Sequence, residues 1–310
     1  MPRLEQKDRA RLSIVLILRD PKDKAGPVLN ALSQEPGIGN CEILLIDGRP
    51  GAENAAPDVG GLCDGVLTVL REPGASMPRL KAIGARQCSG DAVAFLEPKG
   101  VPATGWLEQA RAGLRAHPGS MLSGSVGFDG PPTAANHAAF VFEYGVFTRQ
   151  GLRDGKVADL SGNNMILPLA ALLSECGDIL DSAGLNKPFC QMRLSRAGLS
   201  IHMQPEMRVV MRTRHLAWPL LCSRFHYARC FGGTRIRETA ARRRRWMYRV
   251  GAPVVPFLLI RRHLRTLRQS DLAKSGPGTV ALLVALCISW ALGEAVGSYL
   301  GPGRSCDRLY

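Results

Sequence analysis

Residues 12–18 read LSIVLIL, an uninterrupted apolar run that stops at Arg19-Asp20. Seven residues is strand length, and the β-branched content suits a strand covered on both faces. The pattern repeats outward from it. EILLI at 42–46 is closed by Asp47-Gly48, and AVAFL at 92–96 is stopped by Glu97-Pro98. Residues 65–70 and 121–128 are further strand candidates, and 199–210 reads as one closing strand or two. Between them, 25–33, 77–88 and 106–116 carry helical spacing. Gly162-Asn163-Asn164-Met165 precedes an apolar stretch, 167–176, that predicts a helix, and 192–198 reads as a helix end. Residues 130–135 (GPPTAA) read as a loop. Strands alternating with helices predict an α/β layer built on a mostly parallel sheet.

The chain has 310 residues, 45% of them hydrophobic and 21% charged, so disorder and collagen-like structure are excluded. Its net charge of +14 is unevenly placed. Residues 1–198 carry 21 basic and 21 acidic side chains, whereas 199–310 carry 19 basic and 5 acidic. A neutral globular unit followed by a basic tail implies an anionic partner for the tail. Nine cysteines are scattered without a CxxC pair, which predicts reduced thiols packed as small hydrophobes in a cytoplasmic compartment. Residues 1–11 are charged and predict no secretory signal. There is no P-loop, no G-x-G-x-x-G and no Ser-His-Asp order.

The tail is organised. Sixteen Arg, no Lys and one acid lie between Arg208 and Arg268, with four consecutive Arg at 242–245 beside Trp246 and Tyr248. Residues 279–292 are uncharged and mostly apolar, and the run reaches Leu300 with Glu294 as its only charge. A spanning helix needs about 20 such residues. The segment therefore predicts membrane association, either crossing the bilayer or lying in its interface, with the arginines at a cytoplasmic anionic surface. No nucleic-acid-binding motif accompanies the arginines, so nucleic acid is not the expected partner. The expected division is 1–205 as the α/β unit, 206–275 as a basic interfacial helical region and 276–310 as the membrane helix with a short tail.

The ordered pieces of residues 11–210 resemble the inverting family 2 glycosyltransferases of the GT-A fold. EILLIDGRPG (42–51) resembles the second strand, with Asp47 where that family contacts the nucleotide base. Lys81-Ala82-Ile83-Gly84 sits where Arg-Asn-x-Gly is usual. GDAVAFLEPKGVPATGWLEQ (90–109) resembles the strand entering the D-x-D motif and the Trp-Leu-Glu after it. GNNMIL (162–167) resembles the acceptor-side element, and MRLSRAGLSI (192–201) the segment after the catalytic acid. GEAVGSYLG (293–301) is similar to the tail of membrane-attached members.

The resemblance implies a mixed GT-A sheet flanked by helices, a nucleotide-sugar donor, a lipid-linked or cell-envelope glycan acceptor and a divalent cation. It assigns Asp47, Lys81, Glu97 and Lys99 to the donor, Glu97 to the cation, and Asn163 and Asn164 to the acceptor side. Two departures stand out. Glu97-Pro98-Lys99 replaces D-x-D, and Asn186-Lys187 replaces the acidic pair that supplies the base. Asp178 and Asp181, a few residues upstream, are the substitute bases. Lys99 would place a fixed ammonium against the diphosphate and do part of the cation's work. The alternative is a scaffold that keeps the fold and has lost turnover. Asn163 and Asn164 are equally readable as turn formers or helix caps.

Overall fold

The computed structural model describes residues 11–51, 67–153, 159–239, 241–270 and 272–308. It divides into two units, Met1–Asp129 with Phe147–Arg212, and Gly130–Val146 with Thr213–Tyr310.

The first unit is built on strands β1 (Leu12–Leu18), β2 (Glu42–Asp47), β3 (Leu67–Arg71), β4 (Ala92–Leu96), β5 (Gly100–Pro102), β6 (Met121–Phe128), β7 (Asn164–Pro168) and β8 (Ile201–Met211). Among the described residues they form one sheet in the order β3-β2-β1-β4-β7-β6-β8-β5. β3, β2, β1 and β4 run parallel, β7 runs antiparallel to β4 and β6, and β8 runs parallel to β6. All seven residues of β1 are buried, as expected for a strand with parallel neighbours on both sides.

Helices α1 (Gly26–Ser33), α2 (Met77–Gln87) and α3 (Trp106–Ala116) match the spacing read from sequence. α2 lies close over β1 and β2 because of Gly84: a Cβ there would stand 2.5 Å from Val15 Cγ1. The helix expected over 167–176 is present but starts two residues later. Residues 164–168 are a strand, and helix α6 (Leu169–Ser182) follows it. A short apolar run fits either element, and here the empty edge of β4 decides, pairing Leu96 with Asn164 through Ala92 with Pro168. Helices α5 (Arg149–Arg153) and α7 (Lys187–Arg196) complete this unit.

The second unit contains α4 (Ala134–Tyr144), α8 (Ala217–Glu238), α9 (Arg242–Val250), α10 (Val255–Arg268) and α11 (Pro277–Leu300). The loop expected at 130–135 ends early, because Thr133 Oγ1 accepts from the Asn136 N–H and caps α4. The core joins Ala138, Ala139 and Val141 of α4 to Leu220, Leu267, Leu283 and Leu286. α8 and α11 touch through their backbones. A Cβ on Gly293 would stand 2.2 Å from Phe225 O, and one on Gly297 2.2 Å from Arg229 O. That close approach needs the small residues of the G-x-x-x-G spacing.

Within this interface Glu294 is buried and pairs with Arg235 at 2.6 Å, while Trp290 Nε1 donates to it at 3.0 Å. Arg224 pairs with Glu143 of α4 at 3.2 Å. The expectation of nine free thiols is also corrected: Cys230 and Cys306 form a disulfide that ties the end of the chain back to α8. The two are 76 residues apart, so no local spacing could signal the pair.

α11 is the one helix among the described residues long and apolar enough to cross a membrane. Its inward stripe, however, is occupied by α8, whose Arg229 donates to Gly301 O and whose Arg235 pairs with Glu294, while Arg224 of the same helix pairs with Glu143 of α4. Taking α8 into hydrocarbon would cost roughly 2.5–3.5 kcal/mol for each arginine near the middle, before any compensation by pairing.

Candidate functional site

In a parallel sheet the carboxyl ends of the strands form the crevice where ligands bind. Asp47 is the last residue of β2 and is registered with Leu18 of β1. Glu97 directly follows β4, whose Leu96 is registered with Leu16 of β1. The two carboxylates therefore share one edge of the sheet with β1 between them, two strand spacings or about 10 Å apart along the sheet.

Asp47 is fully buried and is gripped by Arg49, which the sequence reading did not single out. Arg49 Nε donates to Oδ1 at 2.9 Å and Nη2 to Oδ2 at 2.7 Å, with the Arg49 N–H on Oδ1 at 3.1 Å. Two parallel bonds to one carboxylate are the strongest form of this pair. The Asp47 hydrogen bond raises the Arg49 pKa above its ordinary value. Arg49 Nη1 also donates to Asp23 O at 3.2 Å. Asp23 in turn holds the turn after β1, its Oδ2 accepting from the N–H groups of Arg19 and Asp20 at 2.9 and 2.8 Å. This corner presents a neutralised pair rather than an open carboxylate.

Lys81 lies one turn before Gly84 on α2, so the close approach of that helix carries it to the sheet edge. It is buried, and its Nζ donates to Glu97 Oε1 at 3.0 Å and to Gly162 O at 3.1 Å. Glu97 keeps a quarter of its side chain exposed. Lys99 is exposed two residues on, inside a turn closed by Gly100 N–H to Glu97 O. The same Gly162 loop holds a second pair unread in the sequence. Lys187 Nζ donates to Asp159 Oδ1 and to Leu160 O, both at 2.8 Å. Lys81, Glu97, Asp159 and Lys187 thus gather around residues 159–162. Nothing local signals this, because the two lysines reach it from different helices.

The asparagines are internal. Asn164 Oδ1 accepts from Trp106 Nε1 at 2.9 Å, and its Nδ2 donates to Ser125 O and Met207 O at 2.9 and 2.7 Å. It braces β7 against α3, β6 and β8. Asn163 is buried, accepts from Ser161 Oγ and donates to Met211 Sδ. Asp178 and Asp181 stand away from the loop, on the solvent face of α6, and are about two-thirds exposed. Asp178 is paired with Arg193, whose hydrogen bond lowers its pKa, and Asp181 with Arg86 at 2.8 Å. Neither shares a partner with Glu97. A helix fixed the positions that a folded-back loop would have had to supply.

A divalent cation of the kind the fold implies needs several hard oxygen ligands. The donor set does not fit one. Glu97 Oε1 already takes the Lys81 ammonium, Lys99 follows two residues on, and the Asp159 carboxylate is taken by Lys187. No group of three or more His, Cys, Asp or Glu among the described residues is arranged to hold a metal.

No protein-family model and no curated protein matches the sequence. Solved structures do. The chain is similar to the crystal structure of GalNAc-T7 with UDP, GalNAc and Mn2+, at 14% identity and a TM-score of 0.52 over 68% of this chain and 45% of that one. It thus spans under half the length of that structure. It is also similar to mannosyltransferase PcManGT from Pyrobaculum calidifontis in complex with GDP-Man and Mn2+ (13% identity, TM-score 0.47, 94% of this chain and 74% of that one). A third is S. aureus TarS 1–349 (14%, 0.48, 96% and 83%). The first likeness establishes the fold: a mixed sheet flanked by helices, of GT-A type.

Proposed function

We propose that this chain is a glycosyltransferase that moves a sugar from a nucleotide-sugar donor to a lipid-linked or glycan acceptor at a membrane. The observation that carries the reading is the Lys81–Glu97 pair at the carboxyl edge of the sheet, on the same edge as the Asp47–Arg49 pair. In a GT-A-like sheet that edge is the natural seat of a nucleotide diphosphate.

The chemistry asked of the site is a displacement. The acceptor oxygen bonds to the anomeric carbon, the bond from that carbon to the phosphate oxygen breaks, and the diphosphate leaves with the electron pair. Lys81 and Lys99 supply fixed positive charge to the leaving group. Asp47–Arg49 lines the base end of the donor. The acceptor proton needs a carboxylate, and Asp159 is better placed than Asp178 or Asp181, because it belongs to the loop whose Gly162 carbonyl holds Lys81. The arginine-rich second unit favours a cytoplasmic membrane face as the place of work.

A second reading, a binding protein without turnover, draws on the same pairs, since Glu97 and Asp47 are both already engaged by cations. One experiment separates them. Calorimetry with UDP and GDP establishes nucleotide binding, and a panel of UDP- and GDP-sugars with lipid-phosphate acceptors tests turnover. Product supports the transferase. Binding without product from any donor supports the scaffold, and no nucleotide binding rejects both.

A further inference from the structure

The second unit exposes an apolar strip that none of its own helices covers. Trp246, Met247, Val250, Val254, Phe257 and Leu258 are each more than half exposed. They are consecutive in the fold. They run from the second half of α9, through the turn at 251–254, into the first turn of α10. Arginines bracket both ends: 242–245 before the strip, and Arg261, Arg262, Arg265 and Arg268 on the exposed side of α10 after it. Residues 239–270 contain nine Arg and no acid.

The strip is also held in place from behind. Tyr248 lies under the Arg235 guanidinium, 4.1 Å from its ring centroid. Arg249 Nε donates to Ser298 O at 3.0 Å, and Tyr299 Oη donates to Arg249 O at 3.1 Å. Side chains that face inward tie α9 to α8 and α11, and those left over point out as a fixed apolar tip with a cationic collar.

We infer that residues 246–258 are a wedge that inserts into an anionic lipid surface, attaching the protein in the plane of one leaflet while α11 stays packed on α8. The apolar tip reaches the boundary between headgroups and acyl chains, which is where exposed Trp and Phe are most stable, and the collar of arginines meets the lipid phosphates. Charge complementarity selects the lipid surface over an acidic protein partner, because the cations surround an apolar centre rather than forming a polar face. The inference is independent of the catalytic reading.

The test uses the full chain and flotation with phosphatidylcholine vesicles, with and without phosphatidylglycerol. The wild type binds the anionic vesicles. Trp246→Ser with Phe257→Ser lowers binding on the order of tenfold or more, and Arg243→Gln with Arg244→Gln lowers it on the order of tenfold, on anionic vesicles only. All four side chains are outside the core, so an unchanged melting curve accompanies both variants. In cells, the apolar variant moves to the alkaline-carbonate-soluble fraction. Retention of that variant in the carbonate-resistant membrane fraction would mean that α11 crosses the bilayer, and would overturn the inference. So would tight binding to nucleic acid that the arginine variant loses and the apolar variant keeps, with no flotation by the wild type.

Discussion

Replacing Lys81 with Met keeps the length of the side chain and removes its charge. Two consequences follow from the geometry, and they have different sizes. In the protein alone, the change breaks a pair whose side chains are 10% and 24% exposed. A fully buried pair broken on one side costs about 3–5 kcal/mol. Glu97 retains access to water and re-solvates, so the expected cost is about 1–2 kcal/mol, a fall in Tm of roughly 2–8 °C. If Lys81 binds the donor diphosphate as proposed, the change also removes a charge-assisted contact there, about 1.5–3 kcal/mol, or roughly tenfold to 150-fold in Kd. The assay is isothermal calorimetry with UDP and with GDP in EDTA, paired with a thermal melt of each protein. The wild type is expected to bind in EDTA, and Lys81→Met to bind much more weakly while remaining folded. An unchanged Kd in the folded variant would refute the role of Lys81. Wild-type binding that appears only on addition of Mn2+ would refute the argument that ammonium groups replace a metal here.

Other expectations rest on separate parts of the molecule. Asn164→Ala strands the Trp106 indole N–H and the carbonyls of Ser125 and Met207 in the core; a loss of about 3 kcal/mol is expected, read as a lower urea midpoint with unchanged slope. Glu294→Ala leaves Arg235, whose side chain is 19% exposed, without its carboxylate and costs about 1–3 kcal/mol after solvent access is allowed for, whereas Glu294→Leu combined with Arg235→Met recovers most of the loss; a double-mutant cycle by chemical denaturation measures the difference. His263 is buried against Phe142, and burial, then the Arg262 charge, hold its pKa down to about 4. The unfolded chain takes up that proton first, so the stabilisation is complete above about 6.5 and is lost as pH falls toward 4, by about 3 kcal/mol in all. A pH series of melts should show this slope flattened in His263→Phe.

The parts of the candidate site legible in the sequence were those that end strands. Asp47 and Glu97 each close an apolar run, and any parallel pairing of those runs brings both to the same edge. The contacts between them were not legible. Lys81 reaches Glu97 from 16 residues away because Gly84 lets α2 lie close to the sheet, and Lys187 reaches Asp159 across 28 residues. Asp178 and Asp181 were expected to serve as bases on a loop folding back, and α6 instead holds both facing water, each paired with an arginine. Asn164 looked like a ligand contact, and three internal hydrogen bonds make it a brace.

Composition and periodicity by themselves determined that the chain has an α/β unit with buried parallel strands and an arginine-rich tail containing one long apolar helix. These are properties of single segments, set by side-chain volume, branching and charge, and a segment carries them wherever it is placed. Tertiary structure alone decided that residues 164–168 are a strand, that Cys230 meets Cys306, that Glu294 is answered by Arg235, and which cation stands on Glu97. Each of these depends on what a distant segment brings to within hydrogen-bonding or bonding reach, and one-dimensional spacing does not encode that distance.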